Sequence, residues 1–413
     1  MERFFLRKLI TAVLIAIIIL GLAIENLIST YKPITDTINA ERNSFNNLNN
    51  IIGAVEASIN DNTYGKYTFI ELYGYLQKLM NKNEESNFEV VKDERGNLHY
   101  TFFGDKENPV YELVRRTEEL KKGLKDKNVK FAYIMPPDKY YKGYTKLPYG
   151  IPYNYANETA DTFLDLLNKN NIDTIDLREN LDESGIDIEN LFYKTDHHWK
   201  TETAFWEFGQ LADILKNKYG ANIEDIDFYT NKDNYNFITY KDSYIGSMGR
   251  KTGIPYSGVD DFTLIYPKFN TDYTYYSKTG EQEINLNGRF EEALMTISPL
   301  RTNKGIYALE GDKYSSYLFG NQGIVHIVNK KIADGPKILF VKDSYTVALA
   351  AFLSSICSDI YMIDPRYYTE SIPDYIDSVK TDFVFVSFYP QDLTEEFFKF
   401  YLMSSHCNTP IFY

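Results

Sequence analysis

Two adjacent histidines follow an aspartate at residues 196–199, which read Asp-His-His-Trp. Histidine is scarce in this chain, with five in 413 residues. A carboxylate beside an imidazole fixes the tautomer of the ring and stabilises the imidazolium that forms when the ring accepts a proton. The pattern therefore predicts a general base, oriented by Asp196, that needs a nucleophile from elsewhere in the chain.

Ser344 offers that nucleophile, because it lies between a predicted strand and a predicted helix. Residues 337–341 read Lys-Ile-Leu-Phe-Val, which predicts a short buried strand, and the small residues of 346–355 predict a helix. A serine on a strand-to-helix turn has its hydroxyl lifted out of the sheet and its own N–H at a helix N-terminus. We therefore predict acyl transfer through Ser344, with His198 as the base and Asp196 as its orienting carboxylate.

The same residues carry a resemblance to a known family. Residues 195–199, Thr-Asp-His-His-Trp, are similar to the motif that names the DHHW proteins, and residues 342–345, Lys-Asp-Ser-Tyr, are similar to their serine block. These proteins are related to the periplasmic alginate O-acetyltransferases, which are SGNH-hydrolase-like. The similarity runs from Val129 to the C-terminus and is loose in the middle. It implies a catalytic triad made of the aspartate and second histidine of the first motif and the serine of the second.

The sequence departs from the wider SGNH pattern around the serine. Lys342 stands where Gly-Asp-Ser would have its glycine, the Asp-His pair precedes the serine, and no Gly or Asn blocks for an oxyanion hole are evident. By resemblance, Tyr389 helps the serine N–H to hold the oxyanion. Arg366 follows a predicted strand and Trp199 follows the histidines, and we predict that both contact the oxyanion or substrate. Ordinary loop packing is the alternative for Tyr389 and Arg366.

The Asp-His pair is open to two other interpretations. A structural polar network would use the same residues, and so would a metal site, which would need a third ligand from the carboxylates. Adjacent side chains diverge by about 100° on a helix and point to opposite faces of a strand. We therefore predict that His198 alone serves the site, that His197 faces elsewhere, and that no metal or other cofactor is required. A helix N-cap is the corresponding alternative for Ser344.

Composition limits the partners of the chain. The net charge of −14 argues against nucleic acid, since phosphate binding needs a basic surface. Hydrophobic residues make up 44%, which is enough for a folded core. The 36 tyrosines and 27 phenylalanines suit a carbohydrate partner, because tyrosine stacks on sugar rings and bonds to hydroxyls. An A/T-rich genome would produce the same aromatic count, so the composition is compatible with a carbohydrate partner without requiring one.

The N-terminus predicts a location. Three basic residues within the first eight precede an uncharged run over 9–24, which Leu27 and Ile28 extend towards the ~20 apolar residues of a membrane span. No convincing small-x-small cleavage site follows this run. We predict a signal anchor at 1–29 with its cationic end in the cytoplasm. The chain would then be a single-pass protein of the cell membrane with an extracytoplasmic catalytic domain; a cleaved signal peptide is the alternative.

Two further regions follow the predicted anchor. Residues 30–125 show helical periodicity and a hairpin signal, which predict an extracytoplasmic stalk of helices with a hairpin. Residues 126–413 alternate short apolar runs with helices, which indicates an α/β fold with a doubly wound parallel sheet. The resemblance makes this domain SGNH-hydrolase-like. The Tyr-rich and Gly-rich interval at about 222–329 interrupts the alternation and predicts a β-rich insertion. Ligands of such sheets bind beyond the carboxyl ends of the strands, where Ser344 falls.

The resemblance also implies a reaction. Ser344 would take an acetyl group from a membrane-bound O-acyltransferase partner and pass it to a hydroxyl of a cell-surface or secreted polysaccharide. The expected function is therefore an O-acetyltransferase of exopolysaccharide biosynthesis that works through an acyl-serine intermediate, with His198 as the base in both steps. With water as the acceptor, the same triad would be a polysaccharide acetylesterase. A non-catalytic scaffold that binds or exports polysaccharide is the alternative from a different class.

Overall fold

The computed structural model describes residues 2–43, 48–85, 88–101, 104, 106–125, 128–300 and 311–401. Contacts divide the chain into two compact units, Met1–Leu79 and Met80–Tyr413.

The first unit is helical over most of its described length. Its helices are α1 (Glu2–Asn43), α2 (Leu48–Asn62) and α3 (Lys66–Leu79). The stretch Arg3–Ala40 of α1 is long and apolar enough to cross a membrane, as a membrane anchor or a signal sequence would be. The predicted long apolar helix at the N-terminus is therefore confirmed.

The second unit contains the other described helices and all the described strands. The helices are α4 (Tyr111–Gly123), α5 (Ala156–Lys169), α6 (Thr201–Asn217), α7 (Ile226–Thr230), α8 (Ser247–Thr252), α9 (Ile254–Ser257), α10 (Phe290–Ala293), α11 (Thr346–Leu353) and α12 (Ile372–Ser378). The strands are β1 (Glu84–Glu85), β2 (Val90–Lys92), β3 (Leu98–Tyr100), β4 (Lys130–Met135), β5 (Asp173–Asp176), β6 (Tyr235–Tyr244), β7 (Asp260–Pro267), β8 (Tyr273–Thr279), β9 (Gln282–Gly288), β10 (Ile324–Asn329), β11 (Lys337–Lys342), β12 (Asp359–Ile363) and β13 (Phe383–Ser387).

An eight-stranded sheet forms the centre of this unit, in the order β5-β4-β13-β11-β12-β10-β8-β9. Neighbouring strands from β5 to β12 are parallel, whereas β10, β8 and β9 add to the sheet as antiparallel strands. The predicted α/β fold with a parallel sheet is confirmed. β1–β3 form a small separate sheet, and β6 pairs with β7 alone.

The interval 222–329 does not stand apart from the main sheet. Three of its strands, β8, β9 and β10, continue that sheet beyond β12. An uncovered edge of β12 would present unpaired backbone N–H and C=O groups, and the pairing with β10 removes that edge. Residues 301–310 of the interval lie outside the described part of the chain.

Alternation along the central strands places apolar side chains on both faces of the sheet. In β11, Ile338 and Phe340 belong to one buried cluster, and Leu339 and Val341 belong to the other. Helices α6 and α11 contribute to the first cluster, and α4, α5 and α12 to the second. A strand covered on both faces reads as a continuous apolar run, as β11 does. The helical layers therefore fix β11, and with it the position of the turn that follows.

Candidate active site

Ser344 lies in the turn between β11 and α11, at the carboxyl end of a central strand. The Asp343 N–H donates to the Ser387 carbonyl at 3.1 Å, which ties the turn to β13. The Tyr345 N–H donates to Asp343 Oδ1 at 2.9 Å, so the backbone is held on both sides of the serine. Ser344 is 8% exposed. Its side chain is therefore nearly covered by the groups of the site.

His198 lies in a closed loop that leads into α6. Phe192 and Trp199 form an isolated β-bridge across the loop, and the Tyr193 N–H donates to the His198 carbonyl at 3.2 Å. The ring of Tyr314 stacks on the imidazole with their centres 3.9 Å apart and an angle of 14° between the planes. The backbone closure and the stacked ring together fix the orientation of the imidazole.

Hydrogen bonds join the three residues predicted to form the triad. His198 Nε2 lies 2.7 Å from Ser344 Oγ, and His198 Nδ1 lies 2.9 Å from Asp196 Oδ1. With the proton on Nδ1, the ring donates to the carboxylate and accepts from the serine hydroxyl, which is the arrangement that activates a serine. The structure thus brings together residues that are 146 positions apart in the chain.

Asp196 has further partners that the sequence did not reveal. The Tyr244 hydroxyl donates to Asp196 Oδ2 at 2.5 Å, and the Ser247 N–H donates to the same oxygen at 3.1 Å. Both residues belong to the interval 222–329, where tyrosine is too frequent for any one of them to be singled out. The stretch between them contains Gly246, where a Cβ would lie 2.2 Å from Asp196 Cβ. That close approach requires a residue without a side chain.

The structure contradicts the prediction that His197 faces elsewhere. Its Nδ1 lies 2.9 Å from Asp196 Oδ1, and its ring centre lies 3.9 Å from that of His198. The prediction considered a helix or a strand, but both histidines lie in an irregular loop. The backbone N–H groups of both residues point at Asp196 Oδ1, at 2.6 and 3.3 Å. The loop therefore wraps both rings around one carboxylate.

Burial and the contacts among the three residues together set the pKa values of this group. Burial lowers the pKa of His198 to about 4, and nearby His197 adds to this effect while Asp196 opposes it. Burial alone would raise the pKa of Asp196, but the two histidines hold that pKa well below its usual range. A neutral imidazole beside an ionised carboxylate is the protonation state that a general base needs.

The same three residues meet one requirement of a metal site. Asp196, His197 and His198 each present a ligand atom, and these atoms lie within 4.8 Å of one another. However, each Nδ1 lies 2.9 Å from the carboxylate, which is a direct hydrogen-bond distance. His198 Nε2 is directed at Ser344 Oγ instead. The geometry therefore favours the hydrogen-bonded triad.

Tyr389 and Arg366 lie near the serine turn. The Tyr389 N–H donates to Asp343 Oδ2 at 2.7 Å, and its ring stacks on Tyr345 with centres 4.6 Å apart. Arg366 makes a two-pronged contact with Asp364, through Nε at 2.9 Å and Nη2 at 2.7 Å. Its guanidinium is therefore engaged by a carboxylate of the protein.

Trp199 is not at the surface of the site, which corrects the prediction that it contacts the oxyanion or substrate. It is fully buried, and its Nε1–H donates to the Tyr314 hydroxyl at 3.0 Å. Tyr314 is the residue whose ring stacks on His198. The large indole packs best in the core, so the position of Trp199 in the motif reflects support for the imidazole rather than contact with a ligand.

The unexpected lysine of the serine block has a structural explanation. Lys342 is fully buried, and its Nζ donates to Asp364 Oδ2 at 3.0 Å and to Asn321 Oδ1 at 2.8 Å. A buried ammonium is tolerated only when it is paired and hydrogen-bonded in this way. No hydrogen bond joins the Ser344 N–H to another described residue. This N–H lies in the turn two residues before α11 and is available to an oxyanion.

Residues 101–234 match the family model described as SGNH hydrolase-like domain, acetyltransferase AlgX. This confirms the predicted resemblance to the alginate acetyltransferase group. The matched segment includes Asp196 and His198, and it supports an acetyltransferase-related function. A search of the curated proteins finds no match.

Solved structures share the fold. Bacillus cereus PatB1 with a sulfonyl adduct is 19% identical with a TM-score of 0.61, and the alignment covers 76% of this chain and 97% of that one. A DHHW family protein from Eubacterium siraeum is 18% identical with a TM-score of 0.57, and the alignment covers 78% and 98%. Together, the family match and the shared fold confirm the SGNH-like fold predicted from the sequence.

Substitution of Gly246 should disable the site without removing a polar group. In Gly246→Ala the new Cβ would lie 2.4 Å from Asp196 Oδ2, so the carboxylate has to move. A misplacement of about 1 Å in an active site can cost about 10²-fold in rate. We expect a loss of this size in the covalent labelling of Ser344 by a sulfonyl fluoride, followed by mass spectrometry.

Gly209→Ala is the matched control. Its new Cβ would meet a threonine side chain at 3.8 Å, an ordinary contact, on α6. This variant should label at the wild-type rate, and circular dichroism should show that both variants are folded. A folded Gly246→Ala protein that labels as fast as the wild type would contradict the importance of the Asp196 position.

Proposed function

We propose that this chain is an extracytoplasmic O-acetyltransferase that modifies a cell-surface or secreted polysaccharide through an acetyl-serine intermediate. The observation that carries the proposal is the 2.7 Å contact of His198 Nε2 with Ser344 Oγ, which the contact with Asp196 extends. The match to the AlgX acetyltransferase domain supports acetyl as the transferred group. The similar PatB1 is known with a sulfonyl adduct, the kind of product that a reactive hydroxyl gives.

In the first step, Ser344 Oγ attacks the carbonyl carbon of the acetyl donor while His198 Nε2 accepts the hydroxyl proton. Asp196 stabilises the imidazolium that results. The tetrahedral intermediate then collapses, the bond to the donor breaks, and the leaving group takes the proton from His198. Acetyl-Ser344 and neutral His198 remain.

In the second step, a sugar hydroxyl takes the place of the leaving group. His198 Nε2 accepts its proton, the sugar oxygen bonds to the acetyl carbon, and the bond from that carbon to Ser344 Oγ breaks. The proton returns to the serine. Water as the acceptor would release acetate by the same route, and the site would then act as an acetylesterase.

The negative charge of each tetrahedral intermediate needs donors. The Ser344 N–H is one, because it lies in the turn that leads into α11 and is not used by another described residue. We assign Tyr389 as the second. Burial raises the pKa of Tyr389 well above its usual value, so its hydroxyl keeps the proton that it would donate.

We also propose a location for the protein and a source of its acetyl group. α1 would remain as an uncleaved anchor; its length and apolar character fit a membrane span. The acetyl group would come from a membrane-bound O-acyltransferase beside it, as the resemblance to the alginate acetyltransferases implies. The polysaccharide acceptor is an expectation of the same resemblance.

Ser344→Ala should abolish acetyl-ester turnover and the acetyl adduct. The hydroxyl contributes little packing, so the thermal melt should be nearly unchanged. The adduct is measured by peptide mass spectrometry after incubation of the full-length protein with an activated acetyl ester. Thr346→Ser is a matched control, because it alters a buried hydroxyl residue two positions away. Turnover at the wild-type rate in Ser344→Ala would remove the acyl-enzyme mechanism, whereas a wild-type protein that gives neither turnover nor adduct would leave the non-catalytic scaffold.

The two histidines should differ in their effect on rate. His198→Ala should lose about 10²–10⁴-fold or more, because it removes the general base. Asp196→Asn should also be severe, since it would favour the wrong tautomer of His198. His197→Ala should cause a smaller loss of rate, because Asp196 would still contact the His198 ring and its backbone N–H donors. Initial rates of ester hydrolysis under one set of conditions provide the comparison.

A chelator is the control for this series. Rates should be unaffected by EDTA, because the proposed mechanism uses no metal ion. An inactive His197→Ala beside an active His198→Ala would reverse the assignment of the base. Loss of activity with EDTA and its return with zinc would replace the triad by a metal site.

The pH dependence should reveal the environment of His198. Its lowered pKa means that the neutral, basic form persists as the pH falls, so kcat/KM should decline only below about pH 4. An ordinary histidine would give a decline near 6.5. The test is acetate release, measured chromatographically between about pH 3 and pH 8. This range includes both the pKa of about 4 expected for His198 and the value of about 6.5 for an ordinary histidine.

Asp343 supplies the competing explanation. Burial raises its pKa to about 6, and its protonation would weaken the contacts with the N–H groups of Tyr345 and Tyr389. A decline near pH 6 that Asp343→Asn removes would place control of the rate in the serine turn and contradict control by His198.

A further inference from the structure

The helix α3 exposes its apolar side. Four large apolar residues follow one another at intervals of three and four along Lys66–Leu79, which places them on one face of the helix. Each of them is between 46% and 64% exposed: Phe69, Leu72, Leu76 and Leu79. The buried residues of the helix are Gly74 and Gln77. α3 therefore turns its apolar side outward and a polar amide inward.

This arrangement is the reverse of what water favours. A helix of a water-soluble protein turns its apolar stripe to the core and its polar side to solvent. A continuous apolar patch at the surface marks a site of interaction with another protein or a membrane. Three exposed tyrosines flank the stripe, Tyr64, Tyr73 and Tyr75. Tyrosine is enriched where a hydrocarbon phase meets water, because its ring is apolar and its hydroxyl is polar.

The fold of the first unit places the start of α3 at one end of the apolar segment of α1. α1 continues past Asn26 to Asn43, roughly 25 Å further along the helix. α2 packs against α1 and returns along it. At the end of α2, the Tyr64 N–H donates to Asn26 Oδ1 at 2.9 Å. Asn26 lies directly after the apolar run 9–24 and Glu25, so α3 begins near the end of that apolar run.

We infer that α3 lies in the outer surface of the bilayer that α1 spans, with its apolar face among the acyl chains. This inference rests on the membrane anchor of the proposed function. The occupant of the face is lipid, because the contact between Tyr64 and Asn26 sets α3 at the depth where the apolar segment ends. Interfacial helices of this kind bury their apolar face by about 5–10 Å. Lys78 is exposed and lies about 100° around the helix from Leu79, on the side of α3 that would face water.

The consequence is a second attachment to the membrane. α1 alone would let the helical hairpin tilt and rotate about one point, whereas α3 adds an apolar face of four large side chains. A flat α3 keeps its last residue, Leu79, at the membrane surface. A membrane-bound acetyl donor would deliver its group at that surface.

Depth-dependent fluorescence quenching tests the placement of α3. Full-length Leu76→Cys and Lys78→Cys proteins, both with Cys407→Ser, are labelled with a nitrobenzoxadiazole dye and reconstituted into phosphatidylcholine–phosphatidylglycerol vesicles. Cys357 is buried, and burial raises the pKa of its thiol, so it does not react. The label at 76 should be quenched by lipids that carry a nitroxide high on the acyl chain, and it should be shielded from aqueous iodide. The label at 78 should show the reverse preference.

Two results would overturn the inference. Equal quenching of both labels by iodide would place the apolar face in water. Shielding of the label at 76 from both quenchers would show that protein covers the face, either another part of this chain or a second copy. Leu72→Cys repeats the measurement at an independent position of the same face, so that a local effect of one label does not decide the outcome.

Separate readouts distinguish this inference from the proposed function. Protein that fails to float with the vesicles would overturn the anchor and the placement of α3 together. Ser344→Ala protein should give the same quenching as its parent, because the measurement does not depend on catalysis. Leu72→Glu/Leu76→Glu should still float through α1, and a label at Phe69→Cys should become accessible to iodide in that variant. A label at 69 that stays shielded there would count against the bilayer as the partner of α3.

Discussion

Asp196 is 1% exposed and ionised, although burying an unpaired carboxylate costs several kcal/mol. The site is arranged to offset that cost. Both imidazoles of the motif lie within 2.9 Å of one of its oxygens, and the Tyr244 hydroxyl and the Ser247 N–H donate to the other. Once the carboxylate is fixed in this way, His198 has a single orientation that satisfies it, and Nε2 then meets Ser344.

The backbone of the motif is clamped by a second set of buried charges. Asp260 accepts from the Thr195 N–H at 2.8 Å and from the Thr195 hydroxyl at 2.6 Å. Lys139 Nζ donates to the carbonyls of Lys194 and Asp196 at 2.8 and 2.9 Å. Burial lowers the pKa of Lys139 to about 8, and the carboxylates around it oppose that shift. These contacts hold the loop before any substrate arrives, which is the preorganisation that acid–base catalysis requires.

The sequence predicted the parts of the site that depend on local patterns. The apolar run of β11 and the small residues of α11 identified the turn of Ser344, because strand and helix periodicity are properties of a few consecutive residues. The motif identified Asp196 and His198 as neighbours for the same reason. The predicted direction of the His197 side chain was wrong, because that direction depends on a loop conformation that neither helix nor strand periodicity describes. Tyr244, Ser247 and Tyr314 were missed, because they reach the site through tertiary packing from a distant part of the chain.

The same distinction applies to the sheet. Its parallel part follows from short apolar runs that alternate with helices, and this rhythm is visible in the sequence. The attachment of β8, β9 and β10 to the edge of β12 is not visible in the sequence, because antiparallel strands of half-buried residues could pair equally well among themselves. Only the need to cover that particular edge selects the partner.

Two buried aspartates lie beside the pair of His198 and Ser344, and their surroundings give them opposite properties. Asp196 has two imidazoles as partners and is held ionised. Asp343 accepts the N–H groups of Tyr345 and Tyr389, and burial raises its pKa to about 6. The neighbouring cation of Lys342 is directed to Asp364 instead. Asp343 is therefore suited to shaping the serine turn and Asp196 to stabilising a charged base. The lysine in place of glycine is compatible with the turn, because its charge is neutralised on the neighbouring strand end and does not compete for His198.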